Sequence, residues 1–263
     1  MTDPKPSKPT DVPGVSEPLP MVAEAKVDWG YEGVDQTDPV GPSGHARGIA
    51  VSTRLTSSYR RRHRKNAVDV QPEQVIECLR QAGIKKWVLM GLHGYVGYLP
   101  MPRATQDVDV MVPYSQKRRA ANAIEAQWPM LEKLELSQVI RFKDPGDPDQ
   151  DGVGKPVIDL MMPFGRFQEH ILDHHTLVDP QTGDRYPTIE AAVVSKYAAV
   201  ISPHRSFEKK EQDAVDLRRL IKHNQDAIDR KKLAELAGMV YEAGGQEILV
   251  YFENAIHDRP FKS

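Results

Sequence analysis

"DVDVMV" (107–112) and "VIDLMM" (157–162) are short aliphatic runs, each interrupted by aspartate, and their reading decides the fold. Side chains alternate along a β-strand, so Asp107, Asp109 and Met111 share one face while Val108, Val110 and Val112 share the other. The valine face is expected to meet the core. Residues two apart on a strand lie roughly 6–7 Å apart at Cα, near enough for two carboxylates to hold one cation or a close pair. Two like charges at that spacing repel unless something positive sits between them. Asp159 repeats the pattern, and an unpaired ionised group among aliphatics is costly to bury. With the two strands adjacent and Asp159 on the same face, three carboxylates would converge. Each aspartate alone is an ordinary strand-edge feature; the three together point to a metal site. Carboxylate oxygens are hard ligands, so Mg²⁺ (or Mn²⁺) fits better than zinc. Such a site suits an NTP, and the third carboxylate is a candidate general base for an acceptor hydroxyl.

Working outward, "QPEQVIECLRQAG" predicts a helix with Pro72 in its first turn and Gly83 just past its end. "WVLM" (87–90) reads as a buried strand, and "GLHGYVGYL" as a glycine-rich turn into a short helix. After the Asp107–Asp109 strand, Ser115 is expected to cap a helix running to about Trp128. A third strand is expected near 136–142, then a polar loop, "KDPGDPDQDGVGKP", then the Asp159 strand. From Thr188 the pattern is helical, over about 188–202, 207–223, 226–243 and 245–257. The fold class is α+β: a mixed sheet with flanking helices over 67–187, followed by a helical part over 188–263.

Residues 1–66 are rich in proline, glycine and serine and lack hydrophobic periodicity, which reads as a disordered tail. Its end clusters Arg60, Arg61, Arg62, Arg64 and Lys65, either a solvated charge run or a phosphate-contacting arm. The formal charge of −2 gives no global attraction to nucleic acid. One cysteine, Cys78, excludes an internal disulfide. No apolar run approaches the about 18 residues of a membrane helix, and the proline-rich start lacks a signal peptide's apolar core, so a cytoplasmic protein is expected.

The stretch "VLMGLHGYVGYLPMPRATQDVDVMV" resembles the opening of the nucleotidyltransferase (polymerase β-like) superfamily, especially its AbiEii-like abortive-infection toxin branch. Gly91 takes the first position of the family's Gly-Gly or Gly-Ser pair, Arg103 and Thr105 its Arg and Thr, and Asp107 and Asp109 its metal ligands. "PTIEAAVVSKYAAVISPHRSFEKKEQDAVDLRRLI" is similar to the branch's later motifs through Lys196, Arg205, Asp213 and Asp216. The resemblance covers about 85–222. It implies an NTP-using transferase acting on RNA such as tRNA, or on protein, with a cognate antitoxin as partner. It assigns catalysis to Asp107, Asp109, Asp159, Lys196 and Asp213, and substrate binding to Gly91, Arg103, Thr105 and Arg205. The family's second Gly or Ser is Leu92 here, a bulky residue where backbone normally approaches phosphate.

Apart from any resemblance, Lys196 falls on the apolar stripe Ile189, Val193, Lys196 and Val200, either snorkelling or directed toward phosphates. Asp213 aligns with Leu217 and Leu220. Arg103 suits a phosphate or a carboxylate equally. His93 reads as a turn or helix-start residue. "DPDQDG" (147–152) imitates a calcium loop but has Ile158 where a bidentate Glu is required, so a connecting loop is expected. His170, His174 and His175 lack a third-ligand pattern and read as solvent-facing. Two other functions stay open: a small-molecule nucleotidyltransferase of the antibiotic-modifying kind, and a catalytically inactive binding module, which Leu92 motivates.

Overall fold

The computed structural model describes residues 42–64 and 66–261; the tail expected over residues 1–41 and Lys65 lie outside them. The fold is α+β. A five-stranded sheet has the order β1-β2-β5-β4-β3, with β1 Val88–Leu89, β2 Val108–Met111, β3 Glu132–Glu135, β4 Val139–Pro148 and β5 Gly154–Met161. Only β2 and β5 run parallel; the other neighbours are antiparallel. A separate hairpin pairs β6 (Thr176–Val178) with β7 (Arg185–Pro187).

The helices are α1 Pro42–His63, α2 Pro72–Gln81, α3 Gly91–Tyr95, α4 Lys117–Gln127, α5 Gly165–His174, α6 Ile189–Ile201, α7 Phe207–Asn224, α8 Arg230–Gly238 and α9 Gly244–Ile256. Local chemistry sets their ends. Pro72 opens α2, and Gly83, at φ +70°, closes it as the Ile84 amide donates to the Leu79 carbonyl at 2.9 Å. The Thr188 hydroxyl accepts from the Ala191 amide, and the Asp229 carboxylate from the amides of Lys231 and Lys232. Ser115 does not cap α4: it lies in a 3-10 turn, Tyr114–Gln116, and the α-helix begins at Lys117.

The strands expected at 87–90, 107–112 and 157–162 exist as β1, β2 and β5, with Val108, Val110 and Val112 buried as anticipated, whereas the strand expected near 136–142 starts only at Val139, residues 136–138 being the turn from β3 into β4. The loop expected after residue 142 is instead a hairpin. β4 continues to Pro148 and pairs with β5 through Asp144↔Lys155 and Pro148↔Gly154, with register shifts between Phe142 and Lys143 and between Asp144 and Pro148, the second of which spans Pro145. Buried Asp144 anchors it, accepting from the Val68 amide at 2.6 Å and the Gly146 amide at 2.9 Å. The imitation calcium loop is the turn of this hairpin; Asp149 accepts from the amides of Asp151 and Val153.

A disordered tail reaching residue 66 does not hold for Pro42–His63, which form α1. The helix buries a stripe of His45, Ile49, Ser52, Thr56 and Arg60, spaced at three or four residues. Four of these five are polar, so apolar periodicity could not disclose the helix. Each of these four bonds a backbone carbonyl: His45 through Nε2 with Gly94 (3.2 Å), Ser52 with Arg103 (2.7 Å), Thr56 with Thr105 (2.9 Å) and Arg60 with Gln106 (2.5 Å). α1 therefore straps the segment that leads into β2.

Candidate active site

Adjacent strands bring the aspartates together. In the β2–β5 register Asp109 lies directly opposite Asp159, and in the β4–β5 register Arg141 lies opposite Asp159. Asp107, two residues before Asp109, shares its face. The result is a row of Asp109, Asp159 and Arg141 across three strands, with Asp107 beside it.

Each member is held by its neighbours. The Thr105 hydroxyl donates to Asp107 Oδ1 at 2.8 Å. Arg141 grips Asp159 bidentately, Nε to Oδ1 at 2.8 Å and NH2 to Oδ2 at 2.6 Å. That fork, strengthened by the fields of Asp107 and Asp109, holds the Arg141 proton more firmly than usual. Asp109 has no such partner: burial first, then Asp107 and Asp159, push its carboxyl well above the ordinary carboxylate value, against the weaker pulls of Lys196 and Arg141.

Gly91, at the turn from β1 into α3, has φ +53°, and a Cβ there would fall on the Asp109 carboxylate. The glycine is thus required twice, by backbone conformation and by this close approach. Leu92 next to it is buried in the core, so its bulk is directed inward. His93 is also buried, which depresses its pKa to about 4 and leaves it neutral at physiological pH.

Beside the row lies a second cluster. Lys196 Nζ lies 2.8 Å from Asp213 Oδ1 and 3.2 Å from Asp216 Oδ2, and 4.6 Å from the centroid of the Tyr95 ring. Asp216 also accepts from the Tyr95 hydroxyl (2.8 Å) and Arg103 (2.9 Å), while Arg205 pairs with Asp213. Burial opposes the Lys196 charge, but Tyr95, Asp216 and Asp213 outweigh it and raise its pKa. Lys196 thus neither snorkels nor points away from other protein charge; it bridges two buried acids. Arg103 resolves to a carboxylate partner, Asp216.

The structure brings Gly91, Thr105, Asp107, Asp109 and Asp159 together around the row, and gathers Arg103, Lys196, Arg205 and Asp213 into the adjoining network. Sequence reasoning missed Arg141, whose signal was an arginine inside the strand run "VIRF", and Tyr95. The basic cluster is divided: Arg60 is buried against Asp69 and backbone carbonyls, and Arg64 pairs with Asp147. His170, His174 and His175 adjoin one another on and just after α5, with ring centroids 4.6 and 5.1 Å from His170.

Among the described residues, no group of three or more His, Cys, Asp and Glu side chains is set to hold a metal ion. Asp159 has both oxygens on Arg141. Asp107 and Asp109 do fit one hard divalent cation: two carboxylates on one face, with Asp109 crowded by negative charge that a cation would relieve. No helix of the described residues is long and apolar enough to cross a membrane.

No protein-family model matches the chain, and no curated protein matches it. Among solved structures, it is similar to an antigenic nucleotidyltransferase-like protein from Paracoccidioides brasiliensis, at 14% identity over 67% of this chain and 76% of that one, with a TM-score of 0.37. It is also similar to terminal uridylyl transferase 4 from Trypanosoma brucei with bound GTP, at 13% identity over 70% of this chain and 74% of that one, with a TM-score of 0.27.

Proposed function

We propose that the chain moves a nucleoside monophosphate from an NTP to a hydroxyl acceptor, with a divalent cation at Asp107 and Asp109. The observation that carries this reading is the register that sets Asp109 against Asp159 on parallel neighbours, with Gly91 opening space at Asp109. When bound, Mg²⁺ or Mn²⁺ would neutralise charge on the triphosphate and the departing pyrophosphate.

The chain's own groups do the rest. Thr105 fixes the Asp107 carboxylate, and Arg141 orients Asp159, the third acid. Residues 188–263 supply Lys196 and Arg205, which with Arg103 outnumber Asp213 and Asp216 and so attract phosphate oxygens. In the transfer, the acceptor oxygen bonds to the α-phosphorus, the bond from that phosphorus to the β-bridging oxygen breaks, and pyrophosphate leaves. The hydroxyl proton passes to a carboxylate of the row.

The test incubates the protein with Mg²⁺ and each α-³²P-labelled NTP in turn, with total tRNA, cell lysate or small hydroxyl compounds. Label on RNA, protein or a small molecule from the wild type, and none from Asp107→Ala, supports transfer and names the acceptor class. A second reading, an inactive binding module, is favoured by Arg141 taking both oxygens of Asp159. It calls for NTP binding that is metal-independent and equal in wild type and Asp107→Ala. The toxin role and antitoxin partner implied by the AbiEii-like resemblance call for growth arrest on expression of the wild type but not of Asp109→Asn.

A further inference from the structure

A cleft of about 180 Å³ opens between α1, residues 104–106 and the start of β5. Tyr59 and Arg64 form one wall; Lys155, Pro156 and Val157 line it from β5. Tyr59 is 45% exposed, with the Arg64 guanidinium 5.5 Å and the His63 ring 4.9 Å from its ring centroid. Arg64 and Lys155 share one carboxylate, Asp147, at 2.7 and 3.1 Å, which leaves a local excess of positive charge. Arg64 and Lys155 also face the hairpin turn, where Asp149 and Asp151 lie, so an anion would approach them from the Tyr59 side, within the cleft. Thr105 joins the cleft to the row, because it lines the cleft and donates to Asp107.

The volume lies below the roughly 300–1,000 Å³ of sites that enclose a whole small ligand, so it suits one ring-sized group with the remainder outside. A half-exposed tyrosine, an alanine–proline–valine lining and two cations on one counter-charge match a nucleotide unit, its base against the ring and its phosphate on the donors of Arg64 and Lys155 that Asp147 does not take. We propose that this cleft binds the terminal nucleotide of a single-stranded nucleic acid acceptor and presents its hydroxyl toward Asp107. The proposal deepens the transferase reading and rests on it for the role of the hydroxyl; the binding itself needs neither NTP nor metal.

The experiment measures fluorescence anisotropy of 5′-labelled single-stranded RNA and DNA octanucleotides with the full chain, without NTP or divalent cation, and with free nucleoside monophosphates as competitors. Wild type is expected to bind an octanucleotide. Tyr59→Ala is expected to weaken binding at least about fivefold, the lower range for loss of one stacked base, while Tyr59→Phe retains it. Lys155→Gln is expected to weaken binding and reduce its salt dependence by about one phosphate contact. Asp109→Asn is expected to bind as wild type does. Equal binding by wild type, Tyr59→Ala and Lys155→Gln would overturn the proposal, as would absence of octanucleotide binding by the wild type. Free monophosphates competing as well as the octanucleotide would overturn the assignment to a strand end. If the transferase reading alone failed, Tyr59-dependent binding would persist without label transfer; the site would stand and its hydroxyl-presenting role would fall.

Discussion

Replacing Asp216 by alanine should unfold the protein at a markedly lower temperature. The Asp216 side chain is wholly buried and meets the Tyr95 hydroxyl at 2.8 Å, Arg103 at 2.9 Å and Lys196 at 3.2 Å. Truncation strips Arg103 of this carboxylate and leaves Lys196 with Asp213, so buried positive charge loses a counter-charge. Breaking a buried pair from one side costs about 3–5 kcal/mol. In a domain of this size each kcal/mol moves the midpoint by about 2–4 °C, so a fall of roughly 6–20 °C is expected. Thermal unfolding followed by circular dichroism reads it, beside Lys222→Ala, which removes an exposed pair with Asp258 and should leave the midpoint nearly unchanged. Acid supplies a second readout. Burial raises the Asp216 pKa, but Lys196 and Arg103 outweigh it, and the net value lies below the ordinary 3.8. Its stabilisation is therefore present above the unfolded value and lost as pH falls through the lower folded value. The gap between wild type and Asp216→Ala should close below about pH 4. A deficit no larger than that of Lys222→Ala, or one unchanged in acid, would refute the reasoning.

Asp109 should behave oppositely. Burial, Asp107 and Asp159 raise its folded pKa, so its favourable contribution is present in acid and lost as pH rises. Without divalent cations, Asp109→Asn should melt above wild type at pH 7 and lose that advantage in acid, and with Mg²⁺ present it should not transfer label; a lower midpoint at pH 7 would contradict the crowding. Arg141→Ala should be less stable in chelator and gain more from Mn²⁺ than wild type does, since a cation then replaces the guanidinium; equal Mn²⁺ shifts would show that Asp159 does not answer to a cation. Gly91→Ala should cost about 1–3 kcal/mol from backbone strain alone and depress transfer by displacing Asp109; wild-type stability and transfer would mean that the turn relaxes freely.

The centre of the sheet was legible because β1, β2 and β5 are short aliphatic runs, and alternation in "DVDVMV" put Asp107 and Asp109 on one face; β3, exposed along its length, carries no such signal. The partnership of Asp109 with Asp159 needed the parallel pairing, which a sequence suggests but does not specify. What escaped was polar. α1 buries His45, Ser52, Thr56 and Arg60, each of which bonds a backbone carbonyl, and no hydrophobic period records that. β4 crosses Pro145 because a register shift between Asp144 and Pro148 releases the ladder there. Lys196 stood out on an apolar stripe, yet the length of its side chain let it reach Asp213 and Asp216 on α7. Arg141 looked like an ordinary strand residue, and only the β4–β5 register shows it opposite Asp159.

The two clusters have opposite imbalances, and that opposition bears on function. Around the row three carboxylates face one guanidinium; in the adjoining network three cations face two carboxylates. A protein selected only for stability would gain by merging them into neutral pairs, since each uncompensated charge is expensive in a partly buried place. Instead Lys196 stays on α7's acids and reaches Asp109 only through its field, leaving Asp109 with an elevated pKa. A polyphosphate accompanied by a divalent cation corrects both imbalances together: its anionic oxygens complement the Lys196 network, and its cation complements Asp107 and Asp109. A neutral ligand corrects neither, and a bare cation or bare phosphate corrects only one. Metal and triphosphate should therefore bind cooperatively, each tightening the other's affinity by the same factor. Titration of an NTP with and without Mn²⁺, in wild type and Asp109→Asn, measures that factor directly; independent binding would separate the clusters and remove the reason for their proximity.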